Sequence, residues 1–433
     1  MLADKVSGTS VGLWLLVPEH LRLGTWDLLC GWSQGPGESV DPRLALQLVH
    51  EAALCRTGLR ERRSLSQKGF ELANGLPWLA SDPSIHDLLN RRTVADAQRL
   101  QIALGKLRRA SGHINGRLLV IDPHRVRSYS KRRMRQHRKD NKSTPVKMAQ
   151  TFFMFDADTQ QPICFTTATA ARTVSQATPE LLSLTEQIIG PLQQGEALVL
   201  ADNEHFTAEV FDHVKSQTPF DILVPMTHTK TLLRQMQSIL PEKFTRHWAG
   251  YATTTCEYEP RRSTQGPFSQ FIQRDGERAE DYSFKSFLST TDSMDSDVVQ
   301  ALTVDFPTRW HVEEFFNKDQ SLGWNRAGTQ NLHIRFGRMS LVLIAQTVIH
   351  QLRERLGEPY RTWDAQHLAK DLLAGLDGDV RVHDDTIIVT CYNAPEASKL
   401  SRLYENLPAK LEAKSLDCRI PWLYGYKLDF RFR

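Results

Sequence analysis

The sequence of 433 residues lacks several patterns that mark well-known classes of protein. Its six cysteines form no Cys-x-x-Cys pair, and cysteines scattered at this low density are typical of a reducing compartment where thiols stay free. The chain contains neither a Gly-x-x-x-x-Gly-Lys phosphate loop nor a His-Glu-x-x-His zinc pair. These absences argue against a disulfide-stapled secreted domain, a P-loop nucleotidase and a zincin peptidase.

The start of the chain also lacks a membrane-targeting pattern. Its first apolar run, residues 11–17, is followed by Pro18 and Glu19, is too short to cross a bilayer and has no cleavage-site pattern after it. We therefore expect a bacterial protein that resides in the cytoplasm, near the nucleoid, with no membrane partner.

Two short apolar runs lead into an aspartate. Residues 118–121 end at Asp122, and residues 197–200 lie just before Asp202. Continuous apolar runs closed in this way predict buried strands. A single aspartate at such a place is commonly a turn or helix-capping residue, so it is the pair of them that indicates a functional site.

The order of elements around these aspartates predicts an α/β core of the ribonuclease-H-like kind. Three strands, a helix, a strand, a helix and a strand follow one another, which indicates a mixed five-stranded sheet with flanking helices. In that sheet the first and fourth strands are neighbours, so Asp122 and Asp202 would lie side by side. The elements predicted after the first strand are strands at 151–155 and 162–165, a helix at 179–189, a strand at 197–200, a helix at 206–214 and a strand at 220–224.

The chain divides by pattern into five regions. The flanking regions are helical at the start and mixed at the end, and a segment rich in Thr, Tyr and Phe interrupts the core. The regions are a helical N-terminal region (1–110), the first part of the core (111–225), a β-rich insertion (226–295), the second part of the core with the last catalytic helix (296–358) and a C-terminal region (359–433).

A basic run, residues 124–147, follows Asp122 directly and contains ten lysines and arginines against one acid, Asp140. Runs of one charge are about as often solvated loops as binding surfaces. The position of this run next to a strand-end acid favours a role in binding phosphate. The residues of the run that we expect to contact DNA are Arg125, Arg127, Lys131, Arg132 and Arg133.

Phosphoryl transfer with two metal ions needs a third carboxylate beside the first two. Glu313 lies on a helix predicted at about residues 308–320, at the border of the apolar stripe, whereas Glu314 turns further away. Arg309 stands four residues before Glu313 on the same face, which suits a guanidinium that shares a DNA phosphate with the carboxylates. Glu313 is therefore the predicted third acid, and Glu314 is its rival.

The segment from Phe306 to Phe316 resembles the signature of the DDE transposases of bacterial insertion sequences, and more narrowly their IS-four-like branch. That signature reads Tyr, two residues, Arg, three residues, Glu, six residues, Lys. Arg309 and Glu313 match in place. Phe306 stands at the Tyr position and Gln320 at the Lys position, with Lys318 two residues early. The resemblance extends over roughly residues 116–350.

The resemblance implies a function and a set of partners. Members of this family nick DNA at transposon ends and join those ends to a target. They use two Mg²⁺ or Mn²⁺ ions, which would be held here by Asp122, Asp202 and Glu313. The expected partners are the terminal inverted repeats and target DNA, with a dimer forming on DNA. Arg309 and Lys318 would contact the DNA strand.

Three readings stay open from the sequence alone. The chain is an active transposase, a metal-dependent nuclease of the same fold, or a catalytically dead DNA-binding protein derived from a transposase. Phe306 and Gln320 are the departures that leave the last reading open. The N-terminal region is equally compatible with DNA-end binding and with a purely structural role as a helical buttress.

Overall fold

The computed structural model describes residues 5–8, 10–35, 39–65, 68–134, 136–137, 144–169, 171–291 and 297–433. The strands are β1 (Val6–Gly8), β2 (Leu118–Arg127), β3 (Gln136–His137), β4 (Val146–Asp156), β5 (Gln161–Thr169), β6 (Leu198–Ala201), β7 (Asp221–Pro225), β8 (Thr245–Trp248), β9 (Tyr251–Tyr258), β10 (Phe268–Asp275), β11 (Ser283–Ser289), β12 (Gly378–His383), β13 (Thr386–Cys391), β14 (Arg419–Ile420) and β15 (Tyr426–Phe432).

The α-helices are α1 (Val17–Leu23), α2 (Thr25–Ser33), α3 (Val40–Ala53), α4 (Leu59–Arg62), α5 (Lys68–Ala73), α6 (Asp82–Arg91), α7 (Val94–Ala110), α8 (Val174–Ile189), α9 (Ala208–Gln217), α10 (Lys230–Gln237), α11 (Asp297–Gln300), α12 (His311–Asp319), α13 (Leu332–Leu356), α14 (Ala365–His367), α15 (Ala397–Tyr404) and α16 (Leu407–Glu412). The chain forms two compact units. Unit 1 combines residues 1–108 with 315–433, and unit 2 comprises residues 109–314.

The sheet of unit 2 has the predicted ribonuclease-H-like arrangement at its centre. Strand β2 pairs antiparallel with β4, which pairs with β5, and on its other side β2 pairs parallel with β6, which pairs parallel with β7. Helix α8 connects β5 to β6, and α9 connects β6 to β7. The order β5-β4-β2-β6-β7 confirms the predicted fold class and the predicted neighbourhood of the first and fourth strands.

The sheet is larger than the five strands that were predicted. Strand β11 pairs antiparallel with β7, and β10, β9 and β8 continue the sheet beyond it. The β-rich insertion therefore extends the core sheet. A physical reason is that β7 would otherwise leave an open edge of unpaired backbone groups, which proteins usually cover.

Strand β2 is also longer than predicted, because it does not end at Asp122. It runs on through Pro123 to Arg127 and pairs there with β4 alone. The pairing with β6 stops at Ile121. A proline is tolerated at a position where its strand has only one neighbour, since no ladder hydrogen bond is lost on the open side.

The described residues of the basic run thus belong to a β-hairpin rather than to a simple loop. Its two arms are the end of β2 and the start of β4, and the short strand β3 pairs with Val146 and Lys147. Lys147 fixes the turn, since its Nζ donates hydrogen bonds to the carbonyls of Ser130 (3.0 Å) and Arg132 (2.8 Å). Residues 135 and 138–143 of the run, which include Asp140, lie outside the described residues.

Unit 1 joins the two ends of the chain, which the sequence had divided into separate regions. Its five-stranded sheet has the order β1-β12-β13-β15-β14, so that the N-terminal strand pairs with a C-terminal one. Helix α13 packs against α3 and α6. The division into regions 1–110 and 359–433 therefore does not match the packing, because these segments share one core.

The aromatic and basic C-terminal segment contributes to that core. Trp422 is 1% exposed and its Nε1 donates a hydrogen bond to the carbonyl of Ala73 at 2.9 Å. Arg62, a basic residue of the N-terminal region, is also buried. It forms ion pairs with Glu51 (2.7 Å) and with Asp82. These pairs favour the structural role for this part of the N-terminal region.

One helix in the described part of the chain, α13, is long and apolar enough to cross a membrane by length and composition. Of its most apolar stretch, 78% is buried inside the protein. Burial of this kind is typical of a core helix, which passes the same test of length and composition.

Candidate active site

Asp122 and Asp202 occupy matching positions on neighbouring parallel strands. The last paired residues of β2 and β6 are Ile121 and Ala201, and each aspartate follows directly. Adjacent strands lie about 4.8 Å apart, and residues at equivalent positions point to the same face of a sheet. The side chains are 23% and 22% exposed, so both carboxylates reach solvent from a largely buried position.

His205 fixes the orientation of Asp202 and was not found from the sequence. Its Nδ1 lies 2.7 Å from Oδ1 of Asp202, and because a carboxylate can only accept, Nδ1 carries the proton. The same Oδ1 accepts from the backbone N–H of Glu204 at 3.1 Å. The His205 side chain is fully buried, and its Nε2 has no hydrogen-bond partner among the described residues. The only available signal was its spacing, three residues after Asp202 on a one-turn 3₁₀ helix.

Arg309 provides the positive charge nearest to Asp122. Its Nη1 lies 3.4 Å from Oδ1 of Asp122, and the Arg309 side chain is 18% exposed. The guanidinium packs near the rings of Phe306 (6.0 Å) and Trp310 (5.8 Å). Trp310 is 58% exposed, so its ring is accessible beside the guanidinium.

The two aspartates have opposite pKa shifts. The pKa of Asp122 is raised to about 6, chiefly by burial and in part by the negative charges of Asp202 and Glu313, while the positive charge of Arg309 works against them. For Asp202, burial again favours the neutral form, but the hydrogen bond from His205 and the charge of Arg309 hold its pKa below the ordinary value. Two carboxyl groups whose environments shift their pKa values in opposite directions are typical of functional sites.

Glu313 belongs to the electrostatic surroundings of Asp122. Its charge is one of the causes of the raised Asp122 pKa, which favours Glu313 over its rival Glu314. Helix α12 buries Val312, Phe315 and Phe316 as the periodicity predicted, and leaves Glu313 exposed. His311 Nδ1 lies 3.5 Å from the carbonyl of Ala157, where it ties the start of the helix to the β4–β5 turn.

The acids of the described residues do not form a preformed metal-coordination site. Among the residues that the structure describes, no group of three or more His, Cys, Asp or Glu side chains is arranged to hold an ion. The donor set that does converge is the pair Asp122 and Asp202. Such a pair of carboxylates is compatible with Mg²⁺, which keeps several waters and takes further oxygens from a phosphate.

The predicted DNA-binding arginines of the hairpin differ in their contacts. Arg125 forms an ion pair with Glu204, two residues after Asp202. Arg127 is exposed, and its guanidinium stacks on Tyr129 at 5.1 Å, whose side chain is 82% exposed. The three remaining predicted residues are exposed beside the turn and are Lys131, Arg132 and Arg133.

The residues that depart from the transposase signature have other contacts. Phe306 packs edge-on against Phe287 of β11, with the ring centroids 4.9 Å apart. Gln320 lies one residue beyond the end of α12. Lys318 is half-buried and its Nζ donates to the carbonyl of Arg361 at 2.6 Å. The predicted contact of Lys318 with DNA would require that hydrogen bond to open.

A serine-hydrolase pattern occurs near the start of the chain but has the wrong structure. Gly31-Trp-Ser-Gln-Gly35 matches the Gly-x-Ser-x-Gly elbow by sequence. In hydrolases that serine sits on a sharp strand-to-helix turn and is exposed. Here Ser33 is 2% exposed at the end of helix α2, and its Oγ donates to the carbonyl of Cys30. The pattern therefore does not mark a nucleophile.

A ribonuclease-H-like core with paired aspartates at the ends of its central parallel strands is the architecture of the polynucleotidyl transferases and nucleases. Within that class, the model of the transposase DDE domain family matches residues 115–348, more than half of the chain, and the chain belongs to that family. A solved structure of a piggyBac transposase synaptic complex with hairpin DNA is 13% identical, with 86% of this chain and 82% of that chain covered and a TM-score of 0.43. No curated protein matches the sequence.

Proposed function

We propose that this chain is a DNA transposase of the bacterial insertion-sequence type, related to the IS-four-like branch. It cleaves a DNA strand at each transposon end and transfers that end to a target. The observation that carries the proposal is the matched position of Asp122 and Asp202 on adjacent parallel strands, with the charge of Glu313 acting on Asp122. Family membership supports the same reaction class.

The residues proposed to hold divalent metal are Asp122, Asp202 and Glu313. The two aspartates are partly exposed and adjacent, and burial together with the neighbouring carboxylates raises the pKa of Asp122. Two Mg²⁺ or Mn²⁺ ions at such a site would supply Lewis-acid activation of the attacking oxygen and stabilisation of the leaving one. Glu313, which is exposed on α12, would complete the set when DNA is bound.

The neighbouring residues hold the acids in place and offer charge to the substrate. His205 keeps Oδ1 of Asp202 in a hydrogen bond, which leaves Oδ2 free to act as a ligand. Arg309 pairs with Asp122 in the absence of DNA. Its guanidinium is positioned to bind a DNA phosphate instead when DNA is present. We propose that Lys318 joins it after its hydrogen bond to Arg361 opens.

The basic hairpin is the proposed DNA-binding arm. Its exposed residues Lys131, Arg132 and Arg133 follow strand β2, which carries Asp122 and runs on to Arg127, so they would bind the backbone beyond the cut. Arg125 and Arg127 lie along the same strand. The proposed partners are the terminal inverted repeats and the target DNA, with a dimer holding two ends together in the bacterial nucleoid.

The test of the proposal is a product assay with purified full-length protein. The substrate is a labelled duplex carrying the inverted repeats that flank the reading frame, mixed with supercoiled plasmid and Mg²⁺ or Mn²⁺. The expected products are nicked ends and ends joined covalently to the plasmid. Ends without joining would instead identify a nuclease, and binding without any cleavage would identify an inactive DNA-binding protein.

A further inference from the structure

An open cavity of about 410 Å³ lies in unit 2 next to the segment that follows Asp202. One wall is formed by Phe206 and Glu209, and the other by Tyr258, Arg261 and Arg262. The second wall belongs to the loop that joins β9 to β10, within the β-rich insertion. A volume of this size lies in the range of pockets that hold small-molecule-sized groups.

The loop that carries the two arginines is fastened to the core by Asp212 of helix α9. Its Oδ1 accepts from Ser263 Oγ at 2.6 Å and from the backbone N–H of Gln265 at 3.3 Å. Its Oδ2 accepts from the backbone N–H of Thr264 at 2.8 Å and from the Thr264 hydroxyl at 2.9 Å. Four hydrogen bonds on one carboxylate hold the loop of the insertion in a single arrangement.

The backbone at Arg262 is held in a conformation that arginine seldom adopts. Its φ is +74°, in the left-handed region, which is strained for a non-glycine residue. Glycine would adopt this conformation without cost. A loop that served only to reverse the chain would therefore be more stable with glycine at position 262. The arginine found there indicates that its side chain has a role.

The charges in the cavity are positive in sum. Arg261 and Arg262 are exposed, and neither forms an ion pair within the described part of the chain. Glu209 is the one carboxylate of the lining. The rings of Phe206 and Tyr258 lie 6.2 Å apart on the opposing walls and supply flat apolar surface. In sites that bind a nucleic acid strand, guanidinium groups bind the phosphate backbone and aromatic rings stack against the bases.

We propose that this cavity binds a phosphodiester of the DNA strand close to the cleaved bond, with Arg261 and Arg262 as its phosphate ligands. Phe206 is four residues from Asp202, so the cavity begins within about 14 Å of the proposed metal ligand. Phosphates follow one another at about 3.4 Å along the axis of each strand, so the bound phosphate lies within several nucleotides of the cut. This inference rests on the proposed function.

The test measures binding of full-length protein to a fluorescein-labelled duplex of about 30 base pairs and arbitrary sequence, across a series of salt concentrations. The main variant is the double substitution Arg261→Gln and Arg262→Gly. Because glycine relieves the positive φ, this variant keeps the loop folded while it removes both charges. We expect about tenfold weaker binding. The slope of the logarithm of the binding constant against the logarithm of the salt concentration should fall in magnitude by about one, the equivalent of one phosphate contact.

Two further variants make the result specific. Arg278→Gln removes an exposed arginine from the loop at the other end of β10, more than about 20 Å along the strand, and should leave both values unchanged. Asp212→Ala frees the loop without touching its arginines, and should give an intermediate loss. A double variant that binds like wild type, or an equal loss in Arg278→Gln, would overturn the inference.

Failure of this inference is distinguishable from failure of the proposed function. If wild type neither binds the duplex nor cleaves transposon ends, the proposed function is wrong and this site falls with it. If wild type binds and cleaves while the double variant keeps the full salt slope, only the arginine site is wrong.

Discussion

The charged carboxylate of Asp122 lowers the free energy of unfolding of the protein. Its native pKa of about 6 lies above the ordinary value of 3.8, because burial and neighbouring carboxylates disfavour its charge. An acid whose native pKa is raised binds its proton more tightly in the folded than in the unfolded state. Stability therefore falls as the pH rises from about 4 to about 6, and stays lower above that range.

Replacing this charge should therefore stabilise the metal-free protein. We expect Asp122→Asn to raise the unfolding free energy of unit 2 by roughly 1–3 kcal/mol at pH 7, and by nothing below about pH 4. Thermal unfolding in EDTA across this pH range measures the effect. Added Mg²⁺ should raise the midpoint of wild type and not that of the variant. A variant that is less stable than wild type at pH 7 would contradict the account.

Asp379 of unit 1 provides a control with the opposite sign. Burial alone would raise its pKa, but hydrogen bonds from Lys5, Ser7 and Tyr392 lower it to about 2. A depressed native pKa contributes stability above about pH 4 that is lost as the pH falls towards 2. Asp379→Asn should accordingly lower the melting midpoint at pH 7, whereas Asp122→Asn raises it.

His205 is predicted to act through Asp202 on metal affinity. Removing a partner that orients a metal ligand typically weakens metal binding by about 10–100-fold. His205→Leu should raise the Mg²⁺ concentration for half-maximal cleavage by this factor. His205→Asn should retain most of the affinity for the metal. The side-chain nitrogen of asparagine lies as many bonds from Cα as Nδ1 of histidine does, so it can donate the same hydrogen bond to Asp202. Equal metal requirements in the two variants would mean that the hydrogen bond has no such role.

At the scale of elements, the apolar runs predicted strands well and their ends poorly. Residues 118–121 indicated the first half of β2, but Pro123 and the basic residues after it were interpreted as a loop. The strand continues past Pro123 because β4 pairs with it there. That partner lies about 30 residues away in the sequence, and a single apolar run cannot reveal it. His205 escaped notice for a similar reason, since only the folded turn brings its ring to Asp202.

The hairpin formed by β2 and β4 is the element with the clearest effect on DNA binding. Neutralising Lys131, Arg132 and Arg133 together with glutamine should reduce the salt slope for duplex binding by up to about three phosphate contacts. Thermal stability should stay within about 0.5 kcal/mol, because all three side chains are exposed. Fluorescence anisotropy measures the slope. The matching change Lys414→Gln, at an exposed lysine of unit 1, should leave it unchanged.

At the scale of the whole molecule, sequence reasoning succeeded for unit 2 and failed for unit 1. The elements of the ribonuclease-H-like core follow one another along the chain, so their order alone predicted the sheet. Unit 1 pairs Val6 with Val380 and seats Trp422 beside Ala73. Contacts that join residues more than 300 positions apart leave no local periodicity, and the two ends of the chain were therefore assigned to separate regions.

The buried tryptophan of unit 1 tests this shared core. Trp422→Ala should lower the unfolding free energy of unit 1 by about 3–5 kcal/mol, because it removes a fully buried indole and its hydrogen bond to Ala73. Calorimetry should place the loss in one transition and leave the Mg²⁺-dependent transition of unit 2 in place. Trp78→Ala, at a residue that is 69% exposed in the same unit, should have little effect.

The central claim is that Asp122, Asp202 and Glu313 carry out metal-dependent DNA cleavage. Its most direct test is the nicking rate of a duplex with the flanking inverted repeats, measured for Glu313→Gln and Glu314→Gln side by side. Both glutamates are exposed and adjacent on one helix, so the pair differs only in position. We predict that Glu313→Gln, like Asp122→Asn and Asp202→Asn, loses about 10³-fold or more, while Glu314→Gln stays close to wild type. Full activity in Glu313→Gln together with loss in Glu314→Gln would contradict the account.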